Sequence, residues 1–254
     1  MNPLLTRFSL CLSLGLAVVL TARATENSGR PTFVIVHGAW GGGWAFKEVD
    51  RLLTADGYKV YRPTLTGQGE RVHLASPSIN LTTHVTDIVN LILWENLHDI
   101  VLVGHSYGGM VVTGVMDRVP DRIRRVVFVD AAAPRDGQNM RDIMGPNFMP
   151  SDPNKDFMDP EWLKPNTPLP HDVPHPTKTW LEPVSFKNPA AHRLPVTYIL
   201  TVDAGKQPES DDFYPSYLQA KSRGWTTEIM EGDHNVQWSK PRELVTRLEA
   251  TAKK

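Results

Sequence analysis

Short uninterrupted apolar runs alternate along this chain with stretches in which apolar residues recur every three or four positions. The runs cover residues 33–36, 100–103 and 126–129; 196–200, broken by one threonine, and the more mixed 226–230 complete the set, with a weaker one at Val60-Tyr61 between Gly57 and Pro63. Continuous apolar runs mark strands buried on both faces, as in a parallel sheet covered by helices. The intervening segments 44–55, 81–97, 109–118, 213–223 and 241–252 read as helices. In the second of these, Val85, Ile88, Val89 and Ile92 form an apolar stripe at helical spacing. Pro241 suits the first turn of the last. The alternation predicts an α/β fold, a doubly wound and mostly parallel sheet whose ligands bind beyond the carboxyl ends of its strands.

One segment departs from this rhythm. Residues 134–189 hold no convincing strand and more than half of the 21 prolines, with Met140, Met144, Phe148, Met149, Phe157, Met158, Trp162 and Trp180 scattered among them. So long a loop is rare in a compact domain unless it serves as a lid. A cap inserted at about 134–190, over the strand ends, is the expectation. At the other end, Arg7 precedes an apolar run over residues 8–20, and Ala22-Arg23-Ala24 offers a cleavage site. This predicts a signal peptide over residues 1–24, a single mature domain over 25–254, and a secreted or periplasmic protein with no stable membrane association. The one cysteine, Cys11, lies in that leader, so no disulfide is expected. A net charge of -1 without long charge runs gives no sign of nucleic-acid binding. Oligomeric state is left open, a homodimer being compatible.

Gly104-His105-Ser106-Tyr107-Gly108 follows a predicted strand and opens a predicted helix. In that setting G-x-S-x-G reads as a nucleophile elbow, a turn sharp enough to strain the serine and lift its hydroxyl above the strand end. A serine needs a base, and His234 in Gly232-Asp233-His234 follows the last strand on the same rim. His105 is placed in the wall of the site. For the acid that orients the base, Asp130 and Asp203 both stand after strands. Asp130 is preferred because an aspartate followed by three alanines needs a partner if it is desolvated; Asp203 stays as the alternative. The glycine-rich loop over residues 37–43 and the helix start after Ser106 offer N–H donors for an oxyanion, with Ala39 and Tyr107 as the candidates. Trp40, Trp162 and Trp180 are the aromatic candidates for substrate contact. No metal or cofactor is expected.

Taken together, V-H-G-A-W-G-G-G-W (36–44), L-T-G-Q-G-E-R (65–71), V-G-H-S-Y-G-G-M (103–110) and E-G-D-H (231–234) resemble the α/β-hydrolase superfamily. The closest resemblance is to the branch of plant methyl esterases, hydroxynitrile lyases and related bacterial esterases. It implies Ser106 as nucleophile, His234 as base, and Ala39 and Tyr107 as oxyanion donors. Two departures stand out. The branch places its acid after the strand matching 196–200, where ungapped alignment puts Ala204, and Asp130 is instead similar to the acid placement of some haloalkane dehalogenases. The lyases carry a lysine after the histidine, where this chain has Asn235. The expectation is therefore a serine esterase for small to medium apolar or aromatic esters. A noncatalytic small-molecule receptor and a cofactor-free lyase or oxygenase are the rival readings.

Overall fold

The computed structural model describes residues 29–145 and 155–253. The expected leader with Cys11, and Phe148 and Met149 of the expected cap, lie outside the described residues. Eight strands are described: β1 (Thr32–Val36), β2 (Val60–Tyr61), β3 (Ile100–Ser106), β4 (Ile123–Ala131), the short β5 (Phe157–Met158) and β6 (His175–Pro176), β7 (Val196–Val202) and β8 (Thr226–Glu231). Six of them form one parallel sheet in the order β2-β1-β3-β4-β7-β8. The helices are α1 (Lys47–Ala55), α2 (Leu81–Trp94), α3 (Gly108–Arg118), α4 (Met140–Met144), α5 (Lys178–Leu181), α6 (Tyr214–Ser222), α7 (Val236–Ser239) and α8 (Pro241–Ala252).

Side chains on a strand alternate between faces, and here each face meets a different helical layer. Ile100 and Leu102 of β3, with Val126 and Phe128 of β4, pack into the core that includes α2 and α3. Their neighbours Val101, Val103, Val127 and Val129 pack with α1 and α8. Both faces of the central strands are thus dry, which is why the apolar runs are continuous. The edge strand β8 is more exposed and its sequence more mixed.

Helix boundaries differ from the expected ones for local reasons. Asn80 caps α2, its side chain accepting from the Thr83 N–H. The helix ends at Trp94, three residues short of expectation, and Asn96 just beyond takes a left-handed conformation (φ 48°) that turns the chain toward β3. The segment before α1 starts as a 3-10 turn over Gly43–Phe46. A one-turn helix, α7, follows His234 and was not anticipated.

The segment between β4 and β7 corrects the expectation that it holds no strand. It contains α4, the antiparallel pair β5–β6 and α5. Strands of two residues, one of them His175-Pro176, carry no apolar alternation by which they could be read. The segment also reaches further than the strand ends. Glu182 accepts from the Thr82 N–H and hydroxyl on α2, both at 2.7 Å. Asp117 on α3 accepts from the N–H groups of Lys187 (2.6 Å) and Asn188 (2.7 Å) and from the Ser185 hydroxyl (2.9 Å). Val173 N–H donates to Trp40 O at 2.9 Å, fixing the segment to the loop after β1.

Helix α3 lies very close to the end of β4. A Cβ placed on Gly109 would stand 2.0 Å from Ala132 O, a backbone atom that cannot swing aside. Gly109→Ala should therefore cost more than about 2 kcal/mol of unfolding free energy, measured by urea denaturation. A variant within about 0.5 kcal/mol of the parent would show that the approach is not so tight.

Candidate active site

Strand β3 ends in a sharp turn. Ser106 has φ 55°, in the left-handed region that non-glycine residues rarely occupy, and α3 starts two residues later. The turn thus has the strained geometry expected of the G-x-S-x-G segment. Next to it, β4 carries a matching irregularity. His105 pairs with Val129 but Ser106 pairs with Ala131, so Asp130 is the extra residue of a bulge and has φ 44°. A bulge redirects a side chain that would otherwise follow the pleat. Aspartate tolerates the left-handed conformation better than most residues.

The redirected carboxylate is fully buried and bonded at both oxygens. Asp130 Oδ1 accepts from the Thr201 N–H of β7 at 3.1 Å. Its Oδ2 accepts from His234 Nδ1–H at 2.6 Å. Asp203, the alternative acid, is half-exposed and pairs with Lys206 at 3.3 Å. Of the two candidate acids, Asp130 is the one bonded to His234.

His234 is held from several sides. His105 Nε2–H donates to the His234 carbonyl at 2.8 Å, and the two rings lie 4.6 Å apart. The Phe213 ring stacks nearly parallel to the imidazole, at 5.4 Å and 9°. Phe213 is itself fixed by its N–H, which donates to Asp211 Oδ1 at 2.8 Å. Burial pulls the His234 pKa down, but the hydrogen bond and charge of Asp130, with Asp211 and Asp212 adding, reverse this and hold it above 6.5. Burial and then the charge of Asp130 push the Asp211 carboxyl up to about 7. Because the folded pKa of His234 is raised, its protonation favours the fold below pH 6.5, and that contribution fades as pH rises through the folded value.

The loop after β1 is fixed by neutral histidines. Leu65 N–H donates to His37 Nε2 at 3.0 Å, leaving His37 Nδ1–H to donate to Gly38 O at 2.7 Å. Burial lowers the His37 pKa to about 4. Gly38 has no side chain where one would collide with Ser106, since a Cβ there would lie 2.9 Å from Ser106 Cβ. Gly41 N–H then bonds back to Ala39 O at 2.7 Å around Trp40, whose φ is 61°. His175 meets this turn from the capping segment. Its Nδ1 meets both the Trp40 N–H at 3.2 Å and the Gln68 side-chain amide at 2.9 Å, while its Nε2 faces the Thr179 hydroxyl at 2.8 Å. His84 fixes the other side, its Nδ1 accepting from the Tyr107 hydroxyl at 3.0 Å and its Nε2–H donating to Thr66 O at 2.9 Å.

These elements enclose a cavity of about 440 Å³. Ser106, His234, His105, Ala39, Trp40 and Trp162 all line it, together with Asp172, Gln237 and Trp238. Trp180 is the exception among the expected contacts. It is fully buried and packs against Trp40 at 5.7 Å, behind the cavity wall, because the apolar core takes its ring. Tyr107 contributes backbone at the start of α3, its side chain being buried against His84 and His175. Sequence reasoning missed His37, His84, His175, Asp211 and Phe213 as supports. The motif V-H-G-A-W contained a signal for His37 alone. Among the described residues, no group of three or more His, Cys, Asp or Glu could hold a metal ion.

The model of the alpha/beta hydrolase family matches residues 33–247, a span that includes the elbow, the bulge and His234. The chain belongs to the alpha/beta hydrolase family. Within the family it is 43% identical over 126 residues to a carbendazim-hydrolysing esterase from Nocardioides sp. (strain SG-4G), across 50% of this chain and 52% of that protein. The chain thus spans about half the length of that relative. Methylesterase 3 of Arabidopsis thaliana is 26% identical over 277 residues, covering 91% of this chain and 99% of the relative. An extracellular alpha/beta-hydrolase from a Paenibacillus species matches with a TM-score of 0.70 at 24% identity, covering 88% of this chain and 100% of that one. That last likeness is one of fold.

The electrostatics around His234 have a direct readout. Its imidazole should titrate above pH 6.5 in an NMR titration. Asp130→Asn should drop the midpoint below 6.5, since burial then acts without the carboxylate. Asp211→Asn should lower it by a smaller amount, and Asp203→Asn should leave it in place. A midpoint that follows Asp203 and ignores Asp130 would contradict the geometry.

Proposed function

We propose that this hydrolase-family chain is a serine esterase acting through an acyl-enzyme. The observation that carries the reading is the buried bond from His234 Nδ1–H to Asp130, which leaves Nε2 of the same ring as the base toward a cavity that Ser106 also lines. With Nδ1 committed as donor, Nε2 is the free acceptor of the neutral ring. Ser106 Oγ attacks the ester carbonyl while its proton passes to His234 Nε2. Asp130 keeps the imidazole in the right tautomer and stabilises the imidazolium. The backbone N–H groups of Ala39 and Tyr107 receive the negative oxygen, each contributing on the order of 3 kcal/mol to the transition state. His234 then gives its proton to the leaving alcohol oxygen as the C–O bond breaks. Water enters and attacks the acyl carbon as its proton passes to His234. The bond to Ser106 Oγ breaks as His234 returns that proton to the serine oxygen, releasing the acid.

The substrate class follows from the cavity. Trp40, Trp162, Trp238 and Ala45 offer an apolar, aromatic lining of a size suited to a small or medium molecule. The names of the relatives, a carbendazim-hydrolysing esterase and methylesterases, support an ester of a small alcohol. Asn235 lines the cavity beside His234 and no lysine does so among the described residues, which favours an ester over a cyanohydrin. We further propose export of the mature protein, on the strength of the leader-like first residues.

Hydrolysis of a panel of aryl and alkyl methyl esters tests the reading. Ser106→Ala should lower kcat by several orders of magnitude and abolish labelling by a fluorophosphonate. Asp130→Asn should lower kcat by about a thousandfold or more, as expected when the base loses its orienting acid, while Asp203→Asn stays within about twofold. Substantial turnover by Ser106→Ala would point to a lyase-type reaction that uses His234 alone. Tight binding of esters without turnover by the parent would point to a receptor.

A further inference from the structure

The cavity wall contains one carboxylate among the described residues, and the esterase chemistry proposed above does not use it. Asp172 lies on the capping segment, immediately before Val173, whose N–H is bonded to Trp40 O. Its Oδ2 accepts from Trp162 Nε1–H at 2.8 Å. Its Oδ1 faces the loop after β1, standing 3.7 Å from the position a Cβ on Gly41 would take. No Lys or Arg forms an ion pair with it among the described residues. Burial, only partly offset by the Trp162 bond, moves its carboxyl above the ordinary range. Trp40 and Trp162 meet edge to face beside it, at 5.0 Å.

A half-buried carboxylate among aromatic rings is under-solvated, and a donor supplied by a ligand would relieve that deficit. The neighbouring rings offer a flat apolar surface, and their faces attract positive charge. The placement relative to the reactive end is also suitable. Gly38 touches Ser106 and Gly41 lies by Asp172, and Cα atoms three residues apart are at most about 11 Å from each other. A single small aromatic acyl group can span that distance.

The geometry points to Asp172 as a specificity-determining residue that accepts a hydrogen bond from an N–H group on the aromatic acyl part of the substrate. This rests on the esterase reading for the position of the ester, but the recognition itself can be measured as binding. The experiment uses the full mature chain carrying Ser106→Ala, titrated by isothermal calorimetry with three methyl esters of similar shape. Methyl para-toluate has no N–H, methyl para-aminobenzoate has a neutral one, and methyl para-(aminomethyl)benzoate has a cationic one.

At least one nitrogen-bearing ester should bind about tenfold or more tighter than the toluate. Adding Asp172→Leu, which removes the acceptor, should bring all three within about twofold of one another, with no loss of toluate affinity. Trp162→Phe, which frees the second carboxylate oxygen, should keep the preference. A gain for both nitrogen esters identifies N–H donation as sufficient, and a gain for the cation alone identifies positive charge as required; either supports the assignment. Equal binding of all three esters overturns it, as does a preference that survives Asp172→Leu. Failure of the parent protein to hydrolyse any ester would count against the proposed activity and leave this binding result readable.

Discussion

A carboxylate with no exposure to water sits at the end of the central sheet, and the arrangement of the cavity depends on how it is satisfied. Burying an ionised group without partners is prohibitively unfavourable, so Asp130 can occupy its place only because two N–H groups converge on it. One comes from the backbone of Thr201 on the neighbouring strand, the other from His234. Taking away either donor leaves charge stranded in the core. The same bond therefore stabilises the end of the sheet and sets the orientation of the imidazole. It also requires the bulge, because a regular pleat would carry residue 130 past the point from which it can reach His234. Two neighbouring left-handed residues, Ser106 and Asp130, thus end adjacent parallel strands. Local strain of this kind persists where the surrounding structure over-determines it, and here the tight approach of α3 to β4 supplies the constraint.

Much of this was legible in the sequence, and the parts that were not share a cause. The sheet and its flanking helices could be read because the central strands are buried on both faces, which leaves continuous runs such as residues 100–103. The elbow could be read because its glycines and serine must stand at fixed spacing. Asp130 could be favoured because an aspartate beside three alanines signals desolvation. Tertiary supports leave no such mark. His37, His84 and His175 lie far apart in the chain and look like isolated polar residues until the fold brings them to one loop. Asp211 is one of several acids in a polar stretch, and its place beside Phe213 depends on how the chain leaves β7. Trp180 shows the converse: a tryptophan in the capping segment has the composition of a ligand contact, yet its ring fills the core behind one.

The capping segment does more than cover the cavity. Asp117 and Glu182 bind it to α3 and α2, helices that also pack on the central strands. His175 and Val173 bind it to the turn around Trp40. The loop proposed to hold the oxyanion is therefore fixed from below by His37 and from above by the capping segment. Donors that are already in place need no reorganisation as charge develops. The proline content of the segment is consistent with that function, since a chain with fewer unfolded conformations loses less entropy on being fixed.

Histidine is used in two opposite ways around this cavity. His37, His84, His105 and His175 are buried away from any dominant negative charge, and burial drives their pKa values down, to about 4, 4 and 3 for the first three. A neutral imidazole offers one donor and one acceptor at opposite edges, so it can tie two backbone segments together without bringing charge near the site. His234 has the same side chain among carboxylates, and its pKa moves the other way. The separation is functional in its consequences. Four imidazoles that stay neutral hold the loops still across the ordinary range of pH, while the one beside Asp130 is free to gain and lose a proton. Exchanging these environments would put charge on the scaffold and leave His234 without any.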